Sequence, residues 1–191
     1  MAVNLKKGEK VDLAKYDSEL KQILIGLRWS EKSTLSKSPV DCDAFALLLD
    51  KNKKILTGND IVYHANLEHY SKSVIHQGDN ISGTNADDDC EQIIVELSKI
   101  PEQIQTIIFA VNIYQPEIRQ QDFGVIEGAR IQVINNESQK ILCTYNLSDS
   151  YGGMTTVIVA ELSREGVRWC FNAIGQGTSD KGIGDVMRRY R

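Results

Sequence analysis

Short apolar segments rich in β-branched residues recur along the chain, spaced by roughly a dozen residues with turn-forming residues between them. The gaps contain Asp, Asn, Gly and Lys, as at 50–53 and 164–166, and these residue types favour tight turns. The pattern is typical of a two-sheet β-sandwich, so we predict a mainly β fold with few short helices. The apolar segments are 24–29, 45–49, 61–63, 93–97, 107–114, 129–134, 141–145, 156–162 and 167–174.

The alternation within these segments supports strands. In segment 93–98, Ile93, Val95 and Leu97 fall on one face, and Glu96 and Ser98 fall on the other. A period of two is the signature of a strand with one buried face.

Two segments favour short helices instead. Segment 116–121 begins with Pro, which is well tolerated in the first helical turn. Segment 184–190 has Asp185 near its start and basic residues at its end, and this distribution complements the helix dipole.

Length and composition indicate a single domain. The chain has 191 residues, of which 41% are hydrophobic and 25% charged, enough for one core spanning 1–191. The longest apolar run, 44–49, is too short to span a bilayer, and residues 1–7 lack the apolar region of a signal peptide. We therefore expect a cytoplasmic protein without a transmembrane segment.

The spacing of the cysteines agrees with a cytoplasmic location. The four cysteines form no C-x-x-C motif, so we expect free thiols that pack as small apolar side chains; they are Cys42, Cys90, Cys143 and Cys170.

The negative charge of the protein is local. The formal net charge is −4, yet segment 79–91 contains five acidic residues and no Lys or Arg, so the rest of the chain sums to +1. Because the chain as a whole is mildly acidic, nucleic acid is not an expected partner.

This acidic segment has the chemistry of a site for a hard cation. Segment 78–91 combines carboxylates with the neutral oxygens of Asn80, Ser82 and Asn85, and the glycines at 78 and 83 permit sharp turns that expose carbonyl groups. Oxygen ligands of this kind suit Ca²⁺, whereas zinc requires Cys or His at close spacing. The spacing is not that of an EF-hand, so further ligands must come from elsewhere in the chain.

Asp41 and Asp43 are candidates for those ligands. Alternation places both on the side of their strand that carries Phe45, with Cys42 on the other, and we expect that row to face the core. Two carboxylates at the start of such a row favour a partner at the sheet rim, such as a cation shared with segment 79–91. The alternative is that these acids are solvated surface residues that discourage aggregation.

Other residues suggest no catalytic site. His64, His69 and His76 have no acidic partner at a motif spacing, so we expect them on the surface. We interpret segment 175–177 as a tight turn after the last strand rather than as a phosphate-binding loop, because no strand-to-helix context supports the latter. Trp29 and Trp169 are expected to be core residues.

Motifs in a fixed order along nearly the whole chain resemble those of the TerD-like family of tellurite-resistance and stress proteins. They include D-x-D before an aliphatic strand and the turn G-D-N-x-[ST]-G. The matching segments are 3–8, 25–29, 41–50, 78–83, 88–92, 113–114, 119–124, 145–148, 169 and 173–177.

This resemblance implies a non-catalytic Ca²⁺-binding β-sandwich that acts in bacterial responses to tellurite and other chemical stress. It also implies partners among other stress-resistance proteins or a membrane-associated complex. Asn66 matches a family asparagine and is a further candidate ligand. The metal ligands that the resemblance implies are Asp41, Asp43, Asp79, Asn80, Gly83 through its carbonyl, Asp87, Asp88, Asp89 and Glu91.

Two features depart from the family pattern. Segment 84–87 replaces a glycine-rich stretch, and Cys90 interrupts the closing acids, so the ligand register between Asp87 and Glu91 is open by one position. The alternative function that the same acidic cluster allows is a Mg²⁺- or Mn²⁺-dependent phosphodiesterase or nuclease.

Overall fold

The computed structural model describes residues 2–32, 39–78, 91–147 and 149–191. Within these ranges the chain forms twelve strands and two helices, which confirms the predicted mainly β fold. In chain order they are β1 (Val3–Leu5), β2 (Lys10–Asp12), β3 (Gln22–Glu31), β4 (Cys42–Leu49), β5 (Ile61–Val62), β6 (Val74–His76), β7 (Glu91–Glu96), β8 (Thr106–Ile113), α1 (Pro116–Arg119), β9 (Ile126–Asn135), β10 (Lys140–Asn146), β11 (Thr156–Glu165), β12 (Arg168–Thr178) and α2 (Ile183–Arg189).

The strands form two six-stranded sheets. The first has the order β1-β10-β9-β3-β7-β6, and the second has the order β2-β12-β11-β8-β4-β5. The described pairings are antiparallel except that of β1 with β10. The main core lies between the sheets, where Ile25 and Val95 of the first sheet belong to the same buried cluster as Phe109 and Phe171 of the second.

A second apolar cluster lies on the outer face of the second sheet. Phe45, Leu47 and Leu49 of β4 belong to it, together with Val186 of α2. This corrects one expectation, because the row of β4 that carries Phe45 faces α2 and not the inter-sheet core. Cys42 and Ala44, on the other row, belong to the inter-sheet core. The alternation was predicted correctly, but the sequence does not specify which of two buried rows faces the other sheet.

Helix α2 is also held by polar contacts to the loop that precedes it and to the loop between β4 and β5. The guanidinium of Arg189 donates to Asp180 from Nε at 2.7 Å and from Nη2 at 3.0 Å. The backbone N–H of Ile55 donates to the carbonyl oxygen of Tyr190 at 2.7 Å. Both predicted helices are present, and α2 contributes Val186 to the outer cluster.

Segment 175–177 lies within β12 and is not a turn after the last strand. Between the pairs Ile158–Gln176 and Ala160–Ala173, β11 contributes one residue and β12 contributes two. This extra residue forms a β-bulge in which Gly175 has a φ of 60°. The predicted turn is therefore wrong, because the strand continues past Gly175 to Thr178.

The predictions on apolar packing are confirmed for the described cysteines and for Trp169, whereas Trp29 packs against the inter-sheet core but is only partly buried. Cys42, Cys143 and Cys170 are buried, the latter two as free thiols, and Trp169 is buried in the inter-sheet core. Cys90 lies outside the described ranges. Across those ranges, neither helix has the length and apolar character needed to cross a membrane.

Candidate metal site

The predicted ligands fall into two groups. Asp41, Asp43 and Glu91 are described by the structure, and they lie at the starts of β4 and β7. The remaining predicted ligands lie outside the described residues, and they are Asp79, Asn80, Gly83, Asp87, Asp88 and Asp89.

Asp41 and Asp43 are held at the start of β4. The carbonyl oxygen of Asp41 accepts a hydrogen bond from the N–H of Tyr114 at 2.8 Å, and its carboxylate lies 3.4 Å from Nη2 of Arg119. Oδ1 of Asp43 lies 3.5 Å from Nδ1 of His64. The side chain of Asp41 is about half exposed, at 46%, and that of Asp43 is 20% exposed. The two carboxylates therefore lie at a solvent-accessible rim, as predicted from their position before the strand.

Asn66 lies close in sequence to His64. Its side-chain amide Nδ2 donates to the carbonyl oxygen of Ile61 at 2.6 Å, and its backbone pairs with Tyr63 in an isolated bridge. The amide group thus fixes the short loop that carries His64.

Glu91 has a different environment. It is the first residue of β7 and shares the inward row with Ile93 and Val95, and only 3% of its surface is exposed. Its Oε2 lies 3.1 Å from Nε2 of His76, which is also buried. The carboxylate of Glu91 and the imidazole of His76 are therefore in contact within the inter-sheet core.

The imidazole of His76 contacts three parts of the chain. Nε2 lies 3.1 Å from the carbonyl oxygen of Ala44, next to Asp43, and 3.1 Å from Glu91. Nδ1 accepts a hydrogen bond from the N–H of Gly78 at 3.0 Å. Since Nδ1 acts as the acceptor, we assign the ring proton to Nε2, which donates to the carbonyl oxygen of Ala44.

The surface location expected for the histidines is wrong for two of them. His69 is fully buried, and its Nε2 lies 3.1 Å from Oδ1 of Asp60, which is also buried. His76 is buried against Glu91 as described. The partners lie 9 and 15 residues away in sequence and meet only through the fold.

A signal in the sequence marks both members of one pair as inward-facing residues. His76 is in phase with the buried Val74, and Glu91 is in phase with the buried Ile93. A histidine and an acid that both continue inward rows are candidates for a buried pair.

The oxygen donors fit a hard cation but do not complete a site alone. Asp41 and Asp43 provide accessible carboxylates, and Cys42 between them faces the inter-sheet core. In the described ranges, no three His, Cys, Asp or Glu side chains come close enough together to hold a metal ion. An ion at this rim would therefore need ligands from segment 79–90, in which Cys90 is the one sulfur ligand among many oxygen ligands of the kind that suits Ca²⁺.

Comparisons with known proteins bear on the family. A model of the TerD domain matches residues 1–190. The stress response protein SCP2 of Bacillus subtilis (strain 168) is 39% identical over the full length of both chains. The tellurium resistance protein TerD of Serratia marcescens is 35% identical over 100% of this chain and 97% of its own.

The fold agrees with a solved structure. A homologue of the telluride resistance protein TerD from Streptomyces coelicolor A3(2) has a TM-score of 0.68 at 17% identity, over 90% of this chain and 98% of its own. The names of these relatives describe stress response and tellurium resistance, and they give no support to the phosphodiesterase alternative. The chain belongs to the TerD family of tellurium-resistance and stress-response proteins.

Proposed function

We propose that this protein is a non-catalytic, cytoplasmic Ca²⁺-binding stress protein. The ion is held between the rim formed by Asp41 and Asp43 and the acidic segment 79–91. The proposed ligands in that segment are Asp79, Asn80, the carbonyl of Gly83, and acids among Asp87, Asp88, Asp89 and Glu91.

One structural observation carries this proposal. Gly78, which precedes the acidic segment, and Glu91, which ends it, both contact His76. His76 also contacts the backbone of β4 beside Asp43. The fold therefore brings both ends of the segment to the strand that carries Asp43. This proximity supports a shared cation, which would offset the repulsion among clustered carboxylates.

Calcium binding would act on the surface of the protein. An ion at this rim cancels negative charge that is concentrated in one segment, and this changes the electrostatic fit to a partner. We expect its partners to be other stress-resistance proteins or a membrane-associated complex.

Thermal unfolding in Ca²⁺ or Mg²⁺ tests the proposal. A flexible site with many oxygen ligands favours the larger Ca²⁺ ion. At a Ca²⁺ concentration of about 100 times Kd, linkage predicts about 2.7 kcal/mol of stabilisation, or a Tm increase of about 5–10 °C for a chain of this size. Mg²⁺ should produce a smaller increase. An unchanged Tm in both metals would contradict calcium binding.

A further inference from the structure

We propose that a cavity at one end of the sandwich, lined by residues of both sheets, binds a small amphipathic carboxylate. The apolar body of the ligand lies against the inter-sheet core, and its carboxylate contacts arginine side chains at the rim. This site goes beyond the proposed function and does not depend on calcium.

The cavity reaches the apolar core. Its volume is about 300 Å³, at the lower limit for small-molecule sites in proteins. Part of its lining comes from core residues of both sheets, namely Leu27 of β3, Val111 of β8 and Val157 of β11. None of these three is more than 3% exposed. Because such a lining gains from contact with apolar atoms, the cavity favours a ligand with an apolar body.

The rim of the same cavity is basic. Arg28, Lys32 and Arg130 all line it. Arg28 of β3 and Arg130 of β9 are directly opposite each other in the first sheet, so their Cβ atoms are about 5 Å apart. Within the described residues, Nε of Arg130 is buried and has no hydrogen-bond partner. A buried donor without a partner is costly, and an acceptor oxygen of a ligand would remove that cost.

A β-bulge lies beside this arginine pair. Where β3 contributes Trp29 alone, β9 contributes both Gly128 and Ala129. Gly128 has a φ of 62°, a left-handed conformation that glycine adopts readily. Bulges bend a strand and re-aim neighbouring side chains at the rim of a sheet. The bulge thus accounts for two arginines at the border of a cavity that also reaches the inter-sheet core.

The charges at the rim favour a monoanion. Glu127 and Asp149 also line the cavity, so its described lining has three basic and two acidic residues and a net charge of +1. Asp149 is already paired with Lys7 at 2.5 Å, which weakens its repulsion of an anion. A carboxylate matches the planar guanidinium group in a bidentate contact. A dianion such as a phosphate monoester would be repelled more strongly by the two acids.

Fluorescence of Trp29 measures occupancy, because Trp29 lines the cavity. The other tryptophan, Trp169, lies opposite Arg164 near the far end of β11, and Trp169→Phe removes its signal. In this background and in chelator, octanoate should change the emission of Trp29 saturably. The uncharged 1-octanol has the same chain length and should bind about 10- to 100-fold more weakly, because hydrogen bonds to charged groups contribute a difference of this size.

Arg130→Met tests the contact with the carboxylate. This substitution retains a flexible apolar side chain and removes the guanidinium donors. We expect octanoate affinity to fall by about 10- to 100-fold, whereas octanol affinity should change by less than about threefold. Arg168→Met is the matched control, because Arg168 is an exposed arginine that pairs with Asp12 outside the cavity. It should leave both affinities unchanged.

Two further variants fill the cavity. Ala129→Leu adds atoms at a partly exposed lining residue, and Val157→Phe adds a larger group at a buried one. Binding of octanoate and octanol should be lost in each variant that retains the wild-type circular dichroism spectrum. Ala129→Leu is the decisive variant if Val157→Phe does not fold, because overpacking is less costly at a partly exposed position.

Several outcomes would overturn the proposal. One is the absence of a saturable response to octanoate, and another is full binding in a folded Ala129→Leu protein. Equal affinities for octanoate and octanol, or equal losses in Arg130→Met and Arg168→Met, would show that the rim does not recognise a carboxylate. Tighter binding of octyl phosphate than of octanoate would show that the site prefers a dianion. Because all titrations are performed in chelator, a failure of calcium binding leaves these results unaffected.

Discussion

The side chain of Asp43 points away from the space between the two sheets, whereas that of Glu91 points into it. Asp43 shares the outward row of β4 with Phe45, whereas Glu91 points between the sheets and contacts His76. The two acids therefore differ in environment, although both border the predicted metal site.

The bulge at Gly175 should tolerate no side chain. A Cβ added there would lie 2.1 Å from the hydroxyl oxygen of Tyr145, and φ is already 60°. Gly175→Ala should therefore lower the free energy of unfolding by about 2–4 kcal/mol, through overpacking and backbone strain together. Urea denaturation measures this loss. Gly58→Ala is the control, because a Cβ at Gly58 meets nothing within 4 Å. Equal stability of the two variants would contradict the account of the bulge.

The attachment of α2 should depend on pH through Asp180. Burial alone would raise the pKa of this carboxyl group, but hydrogen bonds from Arg189 and Thr178 outweigh it and hold the pKa below the ordinary value of 3.8. A carboxyl group whose pKa is lowered in the folded state stabilises the protein above its unfolded pKa and loses that contribution as pH falls.

Thermal unfolding from pH 7 downward tests this dependence with Asp180→Asn. The wild type should have the higher Tm at neutral pH, and the difference should shrink as the pH falls through about 4. A difference that stays constant over this range would show that the charge of Asp180 does not stabilise α2.

Cys143 should be chemically inert in the folded protein. Burial raises the pKa of its thiol to about 12, so the reactive thiolate is scarce near neutral pH. We expect alkylation of Cys143 by iodoacetamide at pH 8 only after denaturation, with the modified peptide identified by mass spectrometry. Modification in the native state at a rate comparable to that of the unfolded chain would contradict the packing described here.

The sequence was sufficient to predict the architecture because its apolar segments are short, rich in β-branched residues and separated by turn-forming residues. The inward rows of β3 and β7 follow the period of two, and each short helix has a favourable residue in its first turn, Pro116 in α1 and Asp185 in α2. The row of β4 that faces the other sheet was harder to predict, because the strand is buried on both faces and both rows of side chains are apolar. Only the contact with Val186 of α2 establishes which row faces outward.

The site was only partly predictable for a related reason. Asp41 and Asp43 are adjacent to a strand, so local pattern places them at a rim. The pairing of His76 with Glu91 depends on β6 lying beside β7, where His76 is in register with Ile93. Such a pairing depends on contacts between residues distant in sequence, and composition and local spacing do not specify it.

Isothermal titration calorimetry of Ca²⁺ into chelator-treated protein tests the central claim most directly. Wild-type protein, Asp43→Asn, Asp89→Asn and the control Glu137→Gln, an exposed acid in the turn after β9, should be compared. We predict saturable binding that is retained in Glu137→Gln and lost in both aspartate variants, because the ion needs ligands from β4 and from the acidic segment. Absence of binding in the wild type, or undiminished binding in both aspartate variants, would contradict a calcium site shared between these two parts of the chain.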